Sequence, residues 1–390
     1  MISVEEALEK VLALVVPVKV EDVPLRQAAG RVLATSVAAK RTQPPFDASS
    51  MDGYALRAAE VEPDALFKVV GEAAAGHGYD RVVRPGQAVR IFTGAPVPEG
   101  ADFVVIQEDV TRRDDLITLG HDIGSKTNIR AAGGDFRQGD AFEAPALLRP
   151  ADIALLAAMN HAALPVRRKP SVAIIATGDE LVQPGETPGP DQIVASNSFG
   201  LAALLEQHGA TVRVLPIARD TTASLTEAFR LARGADLIVT IGGASVGDHD
   251  LVAGTADALG MEQAFYKVAM RPGKPLMAGR IGGAAMIGLP GNPVSAMVCG
   301  VVFVVPMLRR MLGLPSGHGT LKEAALACDI GPNGPRTHYM RATLEGGQIT
   351  PADSQDSAML GILARANALM VRPKDDPPRQ QGETVAYLEI

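Results

Sequence analysis

The centre of this chain is predicted to be a doubly wound, mostly parallel α/β domain. It is flanked by a small β domain, a mixed N-terminal linker domain and a C-terminal β-barrel-like domain. Three observations in the 390-residue sequence predict this multidomain α/β class. Between residues 169 and 314, short β-branched runs alternate with longer helical ones, the rhythm of a parallel sheet covered on both faces. Several of these runs stop abruptly in glycine and oxygen-bearing side chains. The clearest is Leu237-Ile-Val-Thr-Ile241, followed by Gly242-Gly-Ala-Ser-Val-Gly-Asp-His-Asp250. On either side of the segment, apolar residues alternate with period two between turn signals, as half-buried strands do.

The elements follow in order. Ser3-Val-Glu-Glu6 reads as an N-cap with a capping box, opening an amphipathic helix to about Leu14. Residues 23–30 read as a second short helix with a glycine stop. At 42–55 two prolines stiffen the chain, and Asp47, Ser49, Ser50 and Asp52 are interleaved with Phe46, Met51 and Tyr54. Apolar residues in such a polar stretch predict a packed loop rather than a linker. From 56 to 130, alternating runs at 66–70, 87–92, 102–106 and 116–119 predict a small β domain, interrupted by Thr93-Gly-Ala-Pro-Val-Pro-Glu-Gly100. Helical sequence returns at 150–158. The α/β rhythm then places strands at 172–177, 211–216, 236–241 and 284–289, with helices at 198–207, 225–233, 251–259 and 294–311. After 315 the helical period is lost, and turn pairs such as Asn333-Gly334 and Gly346-Gly347 predict a small barrel or sandwich. The expected domains are 1–45 with 135–168, then 46–134, 169–314 and 315–390.

Composition narrows the function. A net charge of −7 and the absence of Trp argue against a nucleic-acid partner, which needs a basic footprint or a stacking platform. The two cysteines, Cys299 and Cys328, are in no CxxC spacing, which excludes a disulfide scaffold and a cysteine zinc site. That usage suits a reducing cytoplasm, and the acidic N-terminus is unlike a signal peptide. The most apolar run, 298–308, is too short to span a bilayer and reads as a core helix.

The chemistry should sit where the loops after parallel strands converge. Those loops are Thr177-Gly-Asp-Glu180, Arg219-Asp220, the stretch from Gly242 and Gly243 through Ser245 to Asp248, and Leu289-Pro-Gly-Asn-Pro-Val-Ser295. Arg271-Pro-Gly-Lys-Pro275 adds cations on a proline-stiffened turn. Singly, these tetrapeptides are ordinary caps and turns; their common position in the α/β plan gives them weight. Carboxylates beside lysine and arginine suit Mg2+-assisted phosphoryl or nucleotidyl chemistry. Neither a GxGxxG fingerprint nor a P-loop is present, and His249 and His338 stand alone, with no zinc-ligand spacing.

Six motifs in order then carry a resemblance. They are Pro44-Pro-Phe-Asp-Ala-Ser-Ser-Met-Asp-Gly-Tyr-Ala55, Thr93-Gly-Ala-Pro96, Thr177-Gly-Asp-Glu-Leu181, Gly242-Gly-Ala-Ser-Val-Gly-Asp248, Arg271-Pro-Gly-Lys-Pro275 and Leu289-Pro-Gly-Asn-Pro-Val-Ser295. Together they resemble the molybdopterin molybdenumtransferase family (MoeA, and the E domain of gephyrin) over essentially the whole chain. The resemblance implies an elongated four-domain subunit in a homodimer. It also implies a reaction that inserts molybdate into the dithiolene of adenylated molybdopterin, with Mg2+ present and AMP released. A molybdopterin adenylyltransferase becomes a candidate partner. Carried over by position, the catalytic set is Asp52, Thr93, Arg130, Asp135, Glu180, Asp220 and Asp248, with Asp220 and Asp248 on the metal. Gly242, Gly243 and Ser245 belong to the substrate site. The molybdate pocket resembles Lys274, Ser295, Arg341 and Ser357, with Arg271 nearby and Pro290 and Pro293 shaping the loop beside it. Two departures are visible: Gly133-Gly-Asp135, where the family usually has Gly-Glu-Asp, and Gln355-Asp-Ser-Ala-Met359, where Gly-Ser-His or Gly-Ser-Gly is usual. A nucleotide pyrophosphatase would explain the α/β loops but not the loop at Asp52. A non-catalytic molybdate- or pterin-binding scaffold would have little need of the carboxylates.

Overall fold

The structure, a computed structural model, describes residues 1–243, 251–317 and 321–390. Its centre is a six-stranded sheet in the order Thr211–Val214, Ser171–Ala176, Leu237–Ile241, Ala284–Leu289, Met277–Ile281, Glu262–Tyr266. The first four strands run parallel, and the last two are antiparallel additions at one edge. Those two were not expected. Met277-Ala-Gly-Arg-Ile281 has little of the β-branched composition that marks a strand, and its place is set by pairing rather than propensity.

Both faces of the sheet are covered. Asn197–Gln207 and the helical run from Pro293 to Met311 pack on one face, and Thr222–Leu231 and Leu251–Ala258 on the other. The Pro293–Met311 run of 19 residues is long and apolar enough to cross a membrane, but it lies mostly inside the core, as expected of 298–308. The first helix, Val4–Ala13, is capped by Ser3, whose hydroxyl accepts the Glu6 N–H at 3.1 Å. Sequence reading assigns it to the N-terminal domain. Its apolar face, Val4, Ala7, Leu8 and Val11, instead belongs to the α/β core, beside Met311 and Phe265.

Residues 23–30 do not form the expected helix. Val20–Pro24 is a strand paired with Ala163–Arg167, and only Leu25–Gln27 turns, as a short 3-10 segment. The partner lies some 140 residues later in sequence, out of reach of any local pattern. This small sheet and the helix Pro150–Ala158 share a core of Leu33, Leu156, Leu164 and Val166. The β domain is a six-stranded sheet in the order Phe103–Ile106, Gly53–Leu56, Gln87–Ile91, Leu66–Ala73, Leu116–Leu119, Val110–Arg113.

At the C-terminus five strands close on themselves. They run Thr337–Glu345, Gln348–Pro351, Lys322–Leu326, Thr384–Glu389 and Ala368–Arg372, and the last pairs back to the first. This is the expected barrel. Met270–Arg271 adds to it in parallel, Arg271 opposite His338, so the Arg271–Pro275 turn bridges the α/β domain and the barrel.

Candidate functional site

The carboxyl edge of the parallel strands opens into a crevice of about 650 Å3. Its floor is glycine because the backbones meet there. Gly242 has φ +93°, and a Cβ on it would lie 2.7 Å from the Thr177 carbonyl oxygen. Gly243 has φ +68°, and its Cβ would lie 2.2 Å from Val252 Cγ2. Side chains are excluded from both positions by conformation and by space. Gly242→Ala should therefore cost about 1–3 kcal/mol in denaturant unfolding from backbone strain. It should also reduce turnover at least tenfold, by pushing the Thr177 turn into the crevice. Wild-type stability together with wild-type turnover would show that the floor tolerates a Cβ.

Around this floor stand Glu180, Asp220, Pro290 and Pro293 from the expected loops, with Pro275 and Ala358 at the far wall. The Glu180 and Asp220 carboxylates are exposed and have no ion-pair partner among the described residues. Arg219 does not neutralise its neighbour. Its Nη1 donates to the carbonyls of Asp179 at 2.9 Å and Leu181 at 3.3 Å, tying down the turn that carries Glu180. The Asp220 N–H donates to Asp179 Oδ1 at 3.2 Å, so the two acidic loops are fixed to each other. Pro275, Pro293 and Ala358 stand one or two residues from Lys274, Ser295 and Ser357. Ser295 is buried, Lys274 and Ser357 are half-buried, and Arg271 is exposed. Ser245 and Asp248 lie outside the described residues.

Arg341 departs from expectation. Instead of an open fork facing an oxyanion, it is 1% exposed, and its donors are taken by the loop at 354–359. Nη1 donates to the carbonyls of Asp356 at 2.9 Å and Met359 at 3.3 Å, Nη2 to Ser354 O at 3.2 Å, and Nε to Gln355 Oε1 at 3.4 Å. Arg341 is thus the anchor of the loop that carries Ser357. The Asp356 carboxylate turns onto that loop too, accepting the Ala358 N–H at 2.9 Å.

Asp52, Thr93, Arg130 and Asp135 form a second group, in and beside the β domain. The proline-stiffened loop gathers them. Ser49 N–H donates to Ala95 O and Gly94 N–H to Ser49 O, Ala48–Ser49 pairs with Ile129–Arg130, and Asp135 N–H donates to Gln43 O. Asp52 Oδ1 accepts the Thr93 N–H at 2.8 Å and its hydroxyl at 2.9 Å. Those bonds, the backbone one first, hold the Asp52 carboxyl below the usual carboxylate range. Arg90 braces the turn from beneath: it stacks on the rings of Tyr54 and Phe92 and donates to Gly53 O. All four side chains are exposed, and none of the four lines the crevice. Tyr54 is buried as a packed loop requires, but Phe46 and Met51 are 42% and 43% exposed on either side of the group.

Sequence reasoning missed Asn197 and Asn292, both of which line the crevice. Asn197 Nδ2 donates to Gly291 O at 2.7 Å. Asn292 precedes Pro293 at a helix start and reads locally as a cap, which concealed its other contact.

A parallel sheet with a glycine-floored, acid-lined crevice at its carboxyl edge, inserted between a braced β domain and a closed barrel, defines a multidomain ligand-binding enzyme of the doubly wound class. Three family models match along it: the MoeA N-terminal region (domain I and II) over residues 2–160, a probable molybdopterin binding domain over 173–310, and the MoeA C-terminal region (domain IV) over 323–390. The chain is 37% identical to the molybdopterin molybdenumtransferase of Haemophilus influenzae, covering 99% of this chain and 98% of that one. It is 38% identical to molybdopterin molybdenumtransferase 2 of Mycobacterium tuberculosis, covering 90% and 91%. The crystal structure of the molybdopterin biosynthesis MoeA protein of Pyrococcus horikoshii superposes with a TM-score of 0.84 at 30% identity, covering 100% of this chain and 99% of that one. The chain belongs to the MoeA family of molybdopterin molybdenumtransferases, and it is a transferase.

Proposed function

We propose that this enzyme inserts molybdate into the dithiolene of adenylated molybdopterin, releasing AMP with Mg2+ present, to form molybdenum cofactor. The observation that carries the reading is one crevice lined by Glu180 and Asp220, neither ion-paired among the described residues, and by Pro275, Pro293 and Ala358, which come from the stretches that carry Lys274, Ser295 and Ser357. The two halves suit the two substrates. Gly242 and Gly243 keep the floor bare of side chains, so that a nucleotide phosphate could approach the backbone there closely, although the Gly242 N–H itself is donated to Leu289 O at 3.1 Å. Lys274, Ser295 and Ser357 offer one charged and two neutral donors to a tetrahedral dianion. Arg271 adds positive charge at the mouth of the turn, and Pro275, Pro290 and Pro293 fix the wall.

The donor set fits a hard cation. Magnesium is commonly held by one or two carboxylates plus substrate phosphates; Asp220 with Asp248 would hold it, and Glu180 lines the same crevice as Asp220. When bound it would neutralise the phosphates and favour departure of AMP. Asp52, Thr93, Arg130 and Asp135 are exposed and do not line their own crevice, and Phe46 and Met51 are exposed beside them. That arrangement supports a homodimer in which this group completes the partner's crevice. The cysteine usage suits a reducing, cytoplasmic setting, and an adenylyltransferase that would supply the substrate is a candidate partner.

The test is to incubate the purified enzyme with adenylated molybdopterin, molybdate and Mg2+, and to follow AMP release and cofactor formation together. Both should appear in wild type. In Asp220→Asn the Mg2+ concentration for half-maximal AMP release should rise about tenfold, one weakened carboxylate contact, with folding stability changed by under about 0.5 kcal/mol. AMP release with no cofactor formed would favour a pyrophosphatase instead.

A further inference from the structure

The loop Pro290-Gly-Asn-Pro293 forms one wall of the crevice and opens the long core helix. The residue before a helix usually turns its side chain back to accept an N–H of the first turn. Asn292 holds the cap position with the extended backbone of a cap, φ −62° and ψ 129°, yet makes no side-chain capping bond. Its Nδ2 instead reaches the barrel domain and donates to Ser357 Oγ at 3.1 Å. Two residues on, the Val294 N–H donates to the Ser357 carbonyl at 3.1 Å. Ser357 is thus held by backbone and side chain at once, from a loop 65 positions earlier in the chain. The other side of the same loop is tied to its own domain by Asn197, through Gly291 O.

We propose that Asn292 is a positioning residue for oxyanion capture. It holds the Ser357 hydroxyl beside the crevice by donating to one of its two lone pairs, so that the hydroxyl proton is directed at the anion. A hydroxyl has one proton to give. Accepting from Asn292 leaves that proton free, whereas the hydroxyl of a loose loop turns to whichever backbone carbonyl is nearest. The cap position serves this better than a surface position, because the cap backbone is fixed by the helix it begins. Arg341 fixes the same span on both sides of Ser357, through the carbonyls of Ser354, Asp356 and Met359. Ser357 therefore hangs between two anchors, one from each domain.

This inference rests on the proposed molybdate chemistry, and its test separates the two. Full-length Asn292→Ala, Asn292→Asp, Ser357→Ala and the Asn292→Ala/Ser357→Ala pair are compared by titrating molybdate at saturating adenylated molybdopterin. The dissociation constant of adenylated molybdopterin is measured directly beside each titration. Asn292→Ala should raise half-saturating molybdate about three- to tenfold, with adenylated molybdopterin binding within twofold of wild type. Asn292→Asp should raise it more than alanine does. Aspartate caps helices as well as asparagine but accepts the serine proton and sets a negative charge beside the anion. Its melting temperature should stay at or above the wild-type value, so lost stability cannot explain the loss. The pair should equal Ser357→Ala alone, because Asn292 acts only through that hydroxyl. Additive losses, an unchanged molybdate titration in Asn292→Asp, or equal weakening of adenylated molybdopterin binding would each overturn the assignment. If Asn292→Ala does not fold, the isosteric Asn292→Asp carries the test alone. Absence of molybdate-dependent cofactor formation in wild type would instead sink the underlying reading.

Discussion

Mixing two inactive proteins, Asp52→Ala and Asp220→Ala, should restore about a quarter of wild-type activity. Each variant alone should lose roughly a hundredfold or more, the usual scale for removing a group that stabilises developing charge. The quarter follows from the symmetry of the proposed homodimer. Equal amounts assort at random, so half of the dimers are mixed. In a mixed dimer one crevice receives both alanines and the other receives neither, so half the sites in half the dimers work. The geometry motivates the experiment. Asp52 is held by Thr93 on a turn braced by Arg90, yet it does not line the crevice of its own chain. A carboxylate this carefully oriented and this exposed needs a surface to face. Phe46 and Met51, exposed around it, give a second copy apolar area to cover. Subunits must be mixed before dimers form, or exchanged through mild denaturant. Activity that stays at the level of either variant alone would place Asp52 and Asp220 in the same chain's site, or outside the chemistry.

The crevice was legible in the sequence because its signals are local. A β-branched run that stops at Gly242-Gly243 encodes both the strand and the turn. The same holds for Thr177-Gly178 and for Pro290-Gly291, where glycine permits and proline enforces a break in the strand whatever lies elsewhere in the chain. The closed barrel and the two-sided sheet were legible for the same reason, since period and turn residues sit inside each element. What escaped was set by partners far along the chain. Val20–Pro24 is a strand only because Ala163–Arg167 lies beside it. The Val4–Ala13 helix is amphipathic in any setting, so its pattern does not say which domain receives the apolar face. Asn292 resembles a cap, and nothing near it in sequence mentions Ser357. Arg341 shows the sharper limit. Sequence gives its charge but not its burial, and burial decides whether the guanidinium can reach a ligand or is used within the fold.

Arg341→Met should therefore act first on the barrel domain and only through it on molybdate. The methionine keeps the apolar length of the side chain and removes every donor. Carbonyls of Ser354, Asp356 and Met359, now facing a 1%-exposed arginine, would lose their partner in the interior. Each buried acceptor left unpaired costs about 1–3 kcal/mol, but the loop can relax toward water. A net loss of about 2–4 kcal/mol in stability is expected. Arg341→Lys should recover less than half of it, because a point charge with three donors cannot span carbonyls arranged around a planar fork. Half-saturating molybdate should rise in both variants in step with the loss of stability, since the cause is a loosened Ser357. Adding Ser357→Ala to Arg341→Met should change the titration little. The alternative gives a different pattern. If the fork touched the anion itself, Arg341→Lys would keep most of the stability and still lose an order of magnitude in molybdate use. Denaturant unfolding read beside the molybdate titration separates these outcomes. The lysine variant decides, because it alone keeps the charge while removing the geometry.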